Sequence, residues 1–306
     1  MELNRVSKAR DEQLMDLSTA LKKKDVILLD GAIGTELGKH GLMGRARPNL
    51  DNPEIVLTIQ REYAQCGCDA ITTNTLTMNR MYIETHNVGV SVQDVNRAGV
   101  ELARKAVSEG QYVLGNIGST GQLLEPYGTY KESQFYEAFR EQAEILKDTG
   151  VDGFIIETMF DLREALCALR ACKGNFSLPV IVSIAYSTEA KGGRTMMGNS
   201  AQQCAKELTD GGADVIGANC GEIDLAQMAV IVSELKSATS LPVLAQPNAG
   251  KPQLVGDETI FKMEPDDFAK GIAECLAAGA RIVGGCCGTT PEHIRAVAVL
   301  LGGEGQ

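Results

Sequence analysis

A phrase of glycine, one small or apolar residue and a charged residue occurs at Gly67-Cys68-Asp69, Gly150-Val151-Asp152, Gly212-Ala213-Asp214 and Gly279-Ala280-Arg281, each time leading directly into a short apolar, β-branched run. Glycine is the residue that closes a helix in the left-handed conformation, so the phrase marks a helix turning back into a strand. Eight such runs are predicted as strands: 26–30, 70–74, 112–118, 152–157, 179–185, 214–220, 242–247 and 281–285. Between them, apolar residues spaced by three and four predict helices over 53–65, 92–108, 131–148, 162–172, 201–210, 225–238, 265–278 and 291–300. Strict alternation of strand and helix is the pattern of parallel βα units. The predicted fold class is therefore α/β, a (β/α)8 TIM barrel. A doubly wound open sheet is the structural alternative. It lacks its glycine fingerprint, because Gly31-Ala32-Ile33-Gly34 is not G-x-G-x-x-G and no acidic residue ends the second strand.

The length of 306 residues exceeds a usual single core, and a repeating barrel is the recognised exception. Leu14, Leu17 and Leu21 predict an amphipathic N-terminal helical extension over residues 1–24, ahead of a barrel domain over 25–306. A formal net charge of -11 argues against nucleic acid as a partner, since such binding draws on clustered Lys and Arg. No run approaches the roughly 18 apolar residues of a membrane span. Nine cysteines without an apolar signal segment place the chain in a reducing cytoplasm, with thiols free or metal-bound rather than paired.

Barrel chemistry collects at the C-terminal ends of the strands. Those ends carry Asp30-Gly31, Thr72-Thr73-Asn74, Asn116, Glu157-Thr158, Ser183, Asn219-Cys220, Asn248 and Cys286-Cys287. Three cysteines, Cys220, Cys286 and Cys287, thus meet on one rim. Zinc favours thiolates in a tetrahedral set, and three protein ligands leave one position open. Successive strand residues face opposite ways, so Cys286 and Cys287 share a metal only if the strand ends there, a break that Gly284, Gly285 and Gly288 permit. A redox pair or vicinal disulfide is the other reading of the same residues. Cys66, Cys68, Cys167, Cys172, Cys204 and Cys275 fall where packing accounts for them.

Asp30 and Glu157, facing the same rim, suit a cationic group such as a substrate amine. The turn Gly31, Ala32, Ile33, Gly34, Thr35 offers backbone N–H groups to a carboxylate. Ser183, Asn219 and Asn248 complete the candidate substrate-binding set. An amine site and a carboxylate site beside a thiol-binding metal point to an amino-acid thiol. His293 follows Thr290-Pro291, a helix start, and reads as structural. The loops 188–199 and 250–263 are long for a barrel and are candidates for a lid or for contact with a second substrate.

Six segments in order, Asp30 to Thr35, Thr73 to Thr75, Glu157-Thr158, Gly217 to Gly221, Pro247 to Gly250 and Gly284 to Pro291, resemble the motif set of the homocysteine S-methyltransferase family. The resemblance runs from about residue 25 to residue 300. It implies a (β/α)8 barrel holding Zn2+ through Cys220, Cys286 and Cys287, with L-homocysteine entering as the fourth ligand through its sulfur. Asp30, the Gly31 to Thr35 turn and Glu157 then hold the amino-acid end. In cobalamin-dependent members, an asparagine matching Asn248 fills the open zinc position until substrate displaces it. Segments 116–121, 124–127 and 248–250 resemble the homocysteine domain of cobalamin-dependent methionine synthase, which implies a methyl-corrinoid donor on a separate domain or protein.

A free thiol with a pKa near 8.5 is only a few per cent ionised at neutral pH, and coordination to zinc deprotonates it. The expected product of methyl transfer to that sulfur is methionine. S-methylmethionine and betaine are the rival donors. Trp is absent, so an aromatic cage for a methylated cation would need residues such as Tyr82, Tyr127 or Tyr186. A closed structural zinc site on a non-catalytic module is the reading from another class.

Overall fold

The computed structural model describes residues 15–42, 46–187, 193–255 and 258–302. Eight parallel strands form the barrel: β1 (Ile27–Leu28), β2 (Ala70–Thr72), β3 (Tyr112–Ile117), β4 (Gly153–Met159), β5 (Val180–Ile184), β6 (Val215–Asn219), β7 (Val243–Gln246) and β10 (Ala280–Val283). Their order is β1-β10-β7-β6-β5-β4-β3-β2, and a parallel bridge between Leu29 and Ala70 brings the two edges together. The remaining two strands, β8 (Gln253–Val255) and β9 (Glu258–Ile260), form an antiparallel hairpin inside the long loop after β7.

Helices follow the strands: α1 (Leu17–Lys23) precedes the barrel, and α2 (Ile33–Lys39), α3 (Pro48–Asp51) and α4 (Pro53–Ala64) follow β1. After β2 come α5 (Arg80–Thr85) and α6 (Val92–Ala106). Single helices close the later units: α7 (Glu132–Thr149), α8 (Leu162–Lys173), α9 (Ala201–Asp210), α10 (Leu225–Ala238), α11 (Pro265–Ala277) and α12 (Pro291–Gly302). The eight long helices match the sequence expectation to within two residues at each end. The short ones, α2, α3 and α5, and the β8–β9 hairpin add to it.

Strand alternation sorts the apolar side chains into two layers. Ile27, Leu29, Ala70, Tyr112, Leu114, Ile155, Ile181, Val215, Leu244 and Ile282 fill the barrel interior. Their strand neighbours, among them Leu28, Ile71, Val113, Phe154, Ile156, Val182, Ile216 and Val283, pack against the helices. Burial on both faces explains why the strands read as near-continuous apolar runs.

The Gly-x-Asp phrase has a structural cause. In each case the aspartate clasps the preceding strand: Asp69, Asp152 and Asp214 accept the N–H groups of Leu28, Val113 and Val180 at 2.8, 2.7 and 2.7 Å. Their own N–H groups return to Leu28 O, Val113 O and Val180 O. Lys24, Arg104 and Lys173 pair with the same three carboxylates. The glycines before them, Gly67, Gly150 and Gly212, have φ of +93°, +105° and +87°, which side chains resist.

Helix α1 starts at Leu17 because Asp16 caps it, accepting the Thr19 N–H at 2.7 Å. Its Leu17, Ala20 and Leu21 pack onto the interior layer at the N-terminal ends of the strands, and the Tyr112 hydroxyl donates to Met15 O. The first part of the expected amphipathic segment, including Leu14, lies outside the described residues, as do 188–192 and 256–257 of the two long loops. Among the described residues no helix is long and apolar enough to cross a membrane.

Candidate metal and substrate site

Cys220 stands one residue past β6 with φ +54°, a left-handed conformation uncommon outside glycine. Strand β10 stops at Val283, so Cys286 and Cys287 lie on the turn beyond it, freed from strand alternation. The turn is tied down by Cys286 N–H to Pro247 O and Ala249 N–H to Cys287 O. As a result the three Sγ atoms lie within 4.8 Å of one another. Cys220 Sγ and Cys287 Sγ are 3.9 Å apart. Two thiolates on a tetrahedral zinc with Zn–S of about 2.3 Å stand about 3.8 Å apart, close to the separation of Cys220 and Cys287.

The three sulfurs interact with one another. Hydrogen bonds from Cys286 and then Cys287 hold the Cys220 thiol well below its usual value. The hydrogen bond to Cys220 pushes the Cys287 and Cys286 thiols upward. The Asn248 amide donates to Gly221 O at 3.2 Å and helps to lower the Cys220 thiol, while its Oδ1 is buried without a partner. The other six cysteines are buried in packing positions.

A cavity of about 280 Å³ opens beside the triad, with Asp30, Gly31, Gly34, Thr35, Glu157, Cys220, Cys286 and Cys287 among the residues that line it. Burial pushes the Asp30 carboxyl up to about 8, against the pull of the Thr72 N–H and hydroxyl that bond it at 2.8 and 3.1 Å. Burial likewise pushes Glu157 up to about 7, opposed by the Asn116 amide 2.6 Å from Oε1. Asn116 Oδ1 and Gln246 Oε1 are buried acceptors without partners, and both residues border the cavity. That wall offers acceptors, as an ammonium group requires. Among the described residues no Phe or Tyr lines it.

Ser183, Asn219 and Asn248 are not among the lining residues. Asn219 is a buried hub: its Oδ1 accepts the Thr158 N–H and the Ser183 hydroxyl at 2.9 and 2.8 Å. Its Nδ2 lies 2.7 Å from Thr158 Oγ1, 3.3 Å from Glu157 Oε2 and 3.7 Å from Cys286 Sγ. Ser183 therefore reaches the site through Asn219. Gln246 is the last residue of β7, and it escaped the sequence reading because the sequence predicts that strand to run to 247, with Asn248 at its end. His293 bridges Thr290 and Met263 O by its ring nitrogens, at a helix start. Of the candidate cage residues, Tyr186 is buried beside Cys204, Tyr82 stacks on His86 at 4.0 Å, and Tyr127 is exposed.

Fold and site together define a (β/α)8 barrel with three convergent thiols, a set that could hold a metal ion, beside a pocket walled by buried carboxylates. The family model described as homocysteine S-methyltransferase matches residues 27–301, and the chain belongs to that family. It is 30% identical over 319 residues to the methionine synthase of Mycobacterium leprae, covering 97% of this chain and 26% of that protein. The methionine synthase of Mycobacterium tuberculosis is also 30% identical, over 316 residues, with 96% and 26% covered. The chain thus spans about a quarter of the length of these curated relatives. Among solved structures, the metallated form of the homocysteine methyltransferase MmuM from Escherichia coli superposes with a TM-score of 0.75 at 24% identity, covering 92% of this chain and 98% of that one. The carboxyl transferase domain of Rhizobium etli pyruvate carboxylase with pyruvate shares the barrel at a TM-score of 0.52 and 14% identity, over 92% of this chain and 48% of that one. These likenesses carry the fold.

Proposed function

We propose that this chain binds zinc through Cys220, Cys286 and Cys287 and methylates the sulfur of L-homocysteine to give methionine. The observation that carries the reading is the placing of three convergent thiols and two buried carboxylates on one small cavity. When bound, zinc supplies a Lewis acid that keeps a substrate thiol ionised at neutral pH. Asp30 and Glu157, with the acceptors of Asn116 and Gln246, hold the substrate ammonium. Backbone N–H groups of the first turn of α2, reached through Gly34 and Thr35, receive its carboxylate, since those groups have no intrahelical partner. Ser183 and Asn219 orient Glu157 and Thr158 from beneath. Asn248, with Oδ1 free beside Cys220, is the group suited to the open metal position before substrate arrives.

The methyl donor is proposed to be a methyl-corrinoid (methylcobalamin) presented by a separate domain or protein. Among the described residues the cavity wall carries no aromatic ring, which favours this donor over a sulfonium or quaternary ammonium one that draws on such rings. A methionine-formation assay offering methylcobalamin, S-methylmethionine and betaine in parallel tests the donor. The zinc site is tested by its spectrum after cobalt substitution. An open catalytic site responds to homocysteine, whereas a closed structural site on a non-catalytic module stays unchanged, and that result would overturn the reading.

A further inference from the structure

Tyr63 and Thr289 carry none of the roles above, yet both are fully buried at the seam between the two turns that form the site. The Thr289 hydroxyl accepts the Ala32 N–H at 3.0 Å and donates to Cys286 O at 2.7 Å. The Tyr63 hydroxyl faces Thr289 O at 2.9 Å and Ala32 O at 3.2 Å. Gly285 N–H donates to Asp30 O at 2.9 Å, and Gly288 N–H to Thr35 Oγ1 at 3.3 Å. One turn supplies the substrate-side residues and the other the metal-side cysteines. Space at the seam is closed: a Cβ on Gly31 or Gly285 would stand 2.6 or 2.4 Å from Thr289 Oγ1.

We propose that Thr289 is a positioning residue whose hydroxyl locks the metal-side turn to the substrate-side turn, making metal affinity and homocysteine affinity depend on one hydrogen-bonded unit. This rests on the function proposed above. The direction of both bonds is fixed, because a carbonyl can only accept and a backbone N–H can only donate. Cys286 O also receives the Thr289 N–H at 3.1 Å, so loss of the hydroxyl chiefly strands the Ala32 N–H. A buried N–H without a partner forces its peptide to turn towards another acceptor. That peptide follows Asp30 and leads into the Ile33 to Thr35 turn. Movement there shifts the substrate anchors, while the same loss releases one restraint on Cys286. Valine keeps the shape of threonine without either bond; serine keeps both bonds.

The test compares the zinc-loaded parent with Thr289→Val and Thr289→Ser, measuring zinc affinity by chelator competition, homocysteine affinity by calorimetry, and folding by circular dichroism. Folded Thr289→Val should lose about 10- to 100-fold in zinc affinity, the range for residues that orient metal ligands, with homocysteine binding weakened in parallel. Thr289→Ser should stay close to the parent in both. Folded Thr289→Val with both affinities intact, or Thr289→Ser as impaired as Thr289→Val, would overturn the proposal. Should Thr289→Val not fold, Tyr63→Phe opens the same seam, and the two affinities should fall together; unchanged values would sink the idea. A parent that binds no zinc defeats the functional reading and this inference with it. A parent that binds zinc beside an unaffected variant defeats this inference alone.

Discussion

The Asn116 amide donates to Glu157 Oε1 over 2.6 Å, so this buried carboxyl group is held in place by a neutral partner rather than by a cation. Glu157→Gln preserves the shape and removes the charge. Homocysteine binding should weaken by about 2 kcal/mol, the scale of a hydrogen bond to a charged group, or roughly thirtyfold. Zinc content should stay stoichiometric. Calorimetry with metal analysis checks both, and an unchanged affinity would remove Glu157 from the amine site.

The pH dependence of binding follows from the two raised carboxyls. Burial pushes Asp30 up to about 8 and Glu157 up to about 7, so near neutrality both hold protons part of the time in the empty cavity. An ammonium favours their ionised forms, so protons leave as the amine enters. Affinity should therefore rise with pH through about 7 to 8 and level off once both groups are ionised. Calorimetry in buffers of different ionisation enthalpy counts the protons released, and Asp30→Asn should lower the count. An affinity that falls across this window would contradict the assignment.

Much of this was legible because the barrel repeats its own solutions. The aspartate of Gly-x-Asp recurs in the sequence because Asp69, Asp152 and Asp214 each clasp the strand before them. The variant phrase at Arg281 reflects a different partner, since that guanidinium bonds the carbonyls of Lys24 and Asp25. The short helices α2, α3 and α5 span four to seven residues, too few for a helical period to register. Thr289 escaped for another reason: its partner Ala32 is 257 residues away, and no local pattern announces such a bond. Cys220 takes a positive φ one residue past β6, a turn that no spacing rule foretells.

Metal retention should separate the cysteines into two groups. Cys220→Ala and Cys286→Ser each remove one of the sulfurs that lie within 4.8 Å of one another, and each should lose zinc and methyl transfer together. Cys275→Ala removes a buried thiol in α11 and should keep a full complement of zinc. Elemental analysis of freshly purified protein decides the matter. Retention of metal and activity by Cys286→Ser would overturn the ligand set.

Helix α1 offers a perturbation at the opposite end of the barrel. Leu17 is buried against the N-terminal ends of the strands, and its Cδ2 occupies the space a Cβ on Gly153 would need, 2.7 Å away. Truncation leaves a hole that the barrel interior, packed by β-branched and leucine side chains, fills poorly. Leu17→Ala should therefore cost about 2–5 kcal/mol, the range for buried leucines. The proposed metal and substrate residues sit at the C-terminal ends, so zinc and homocysteine affinities should be those of the parent at temperatures where the variant is folded. Denaturant unfolding monitored by circular dichroism, with calorimetry on the folded protein, tests the separation. If the midpoint does not move, α1 is not part of the barrel core; if homocysteine affinity falls while the fold is intact, the two ends of the barrel are coupled through the interior layer of Ile155, Ile181 and Leu244.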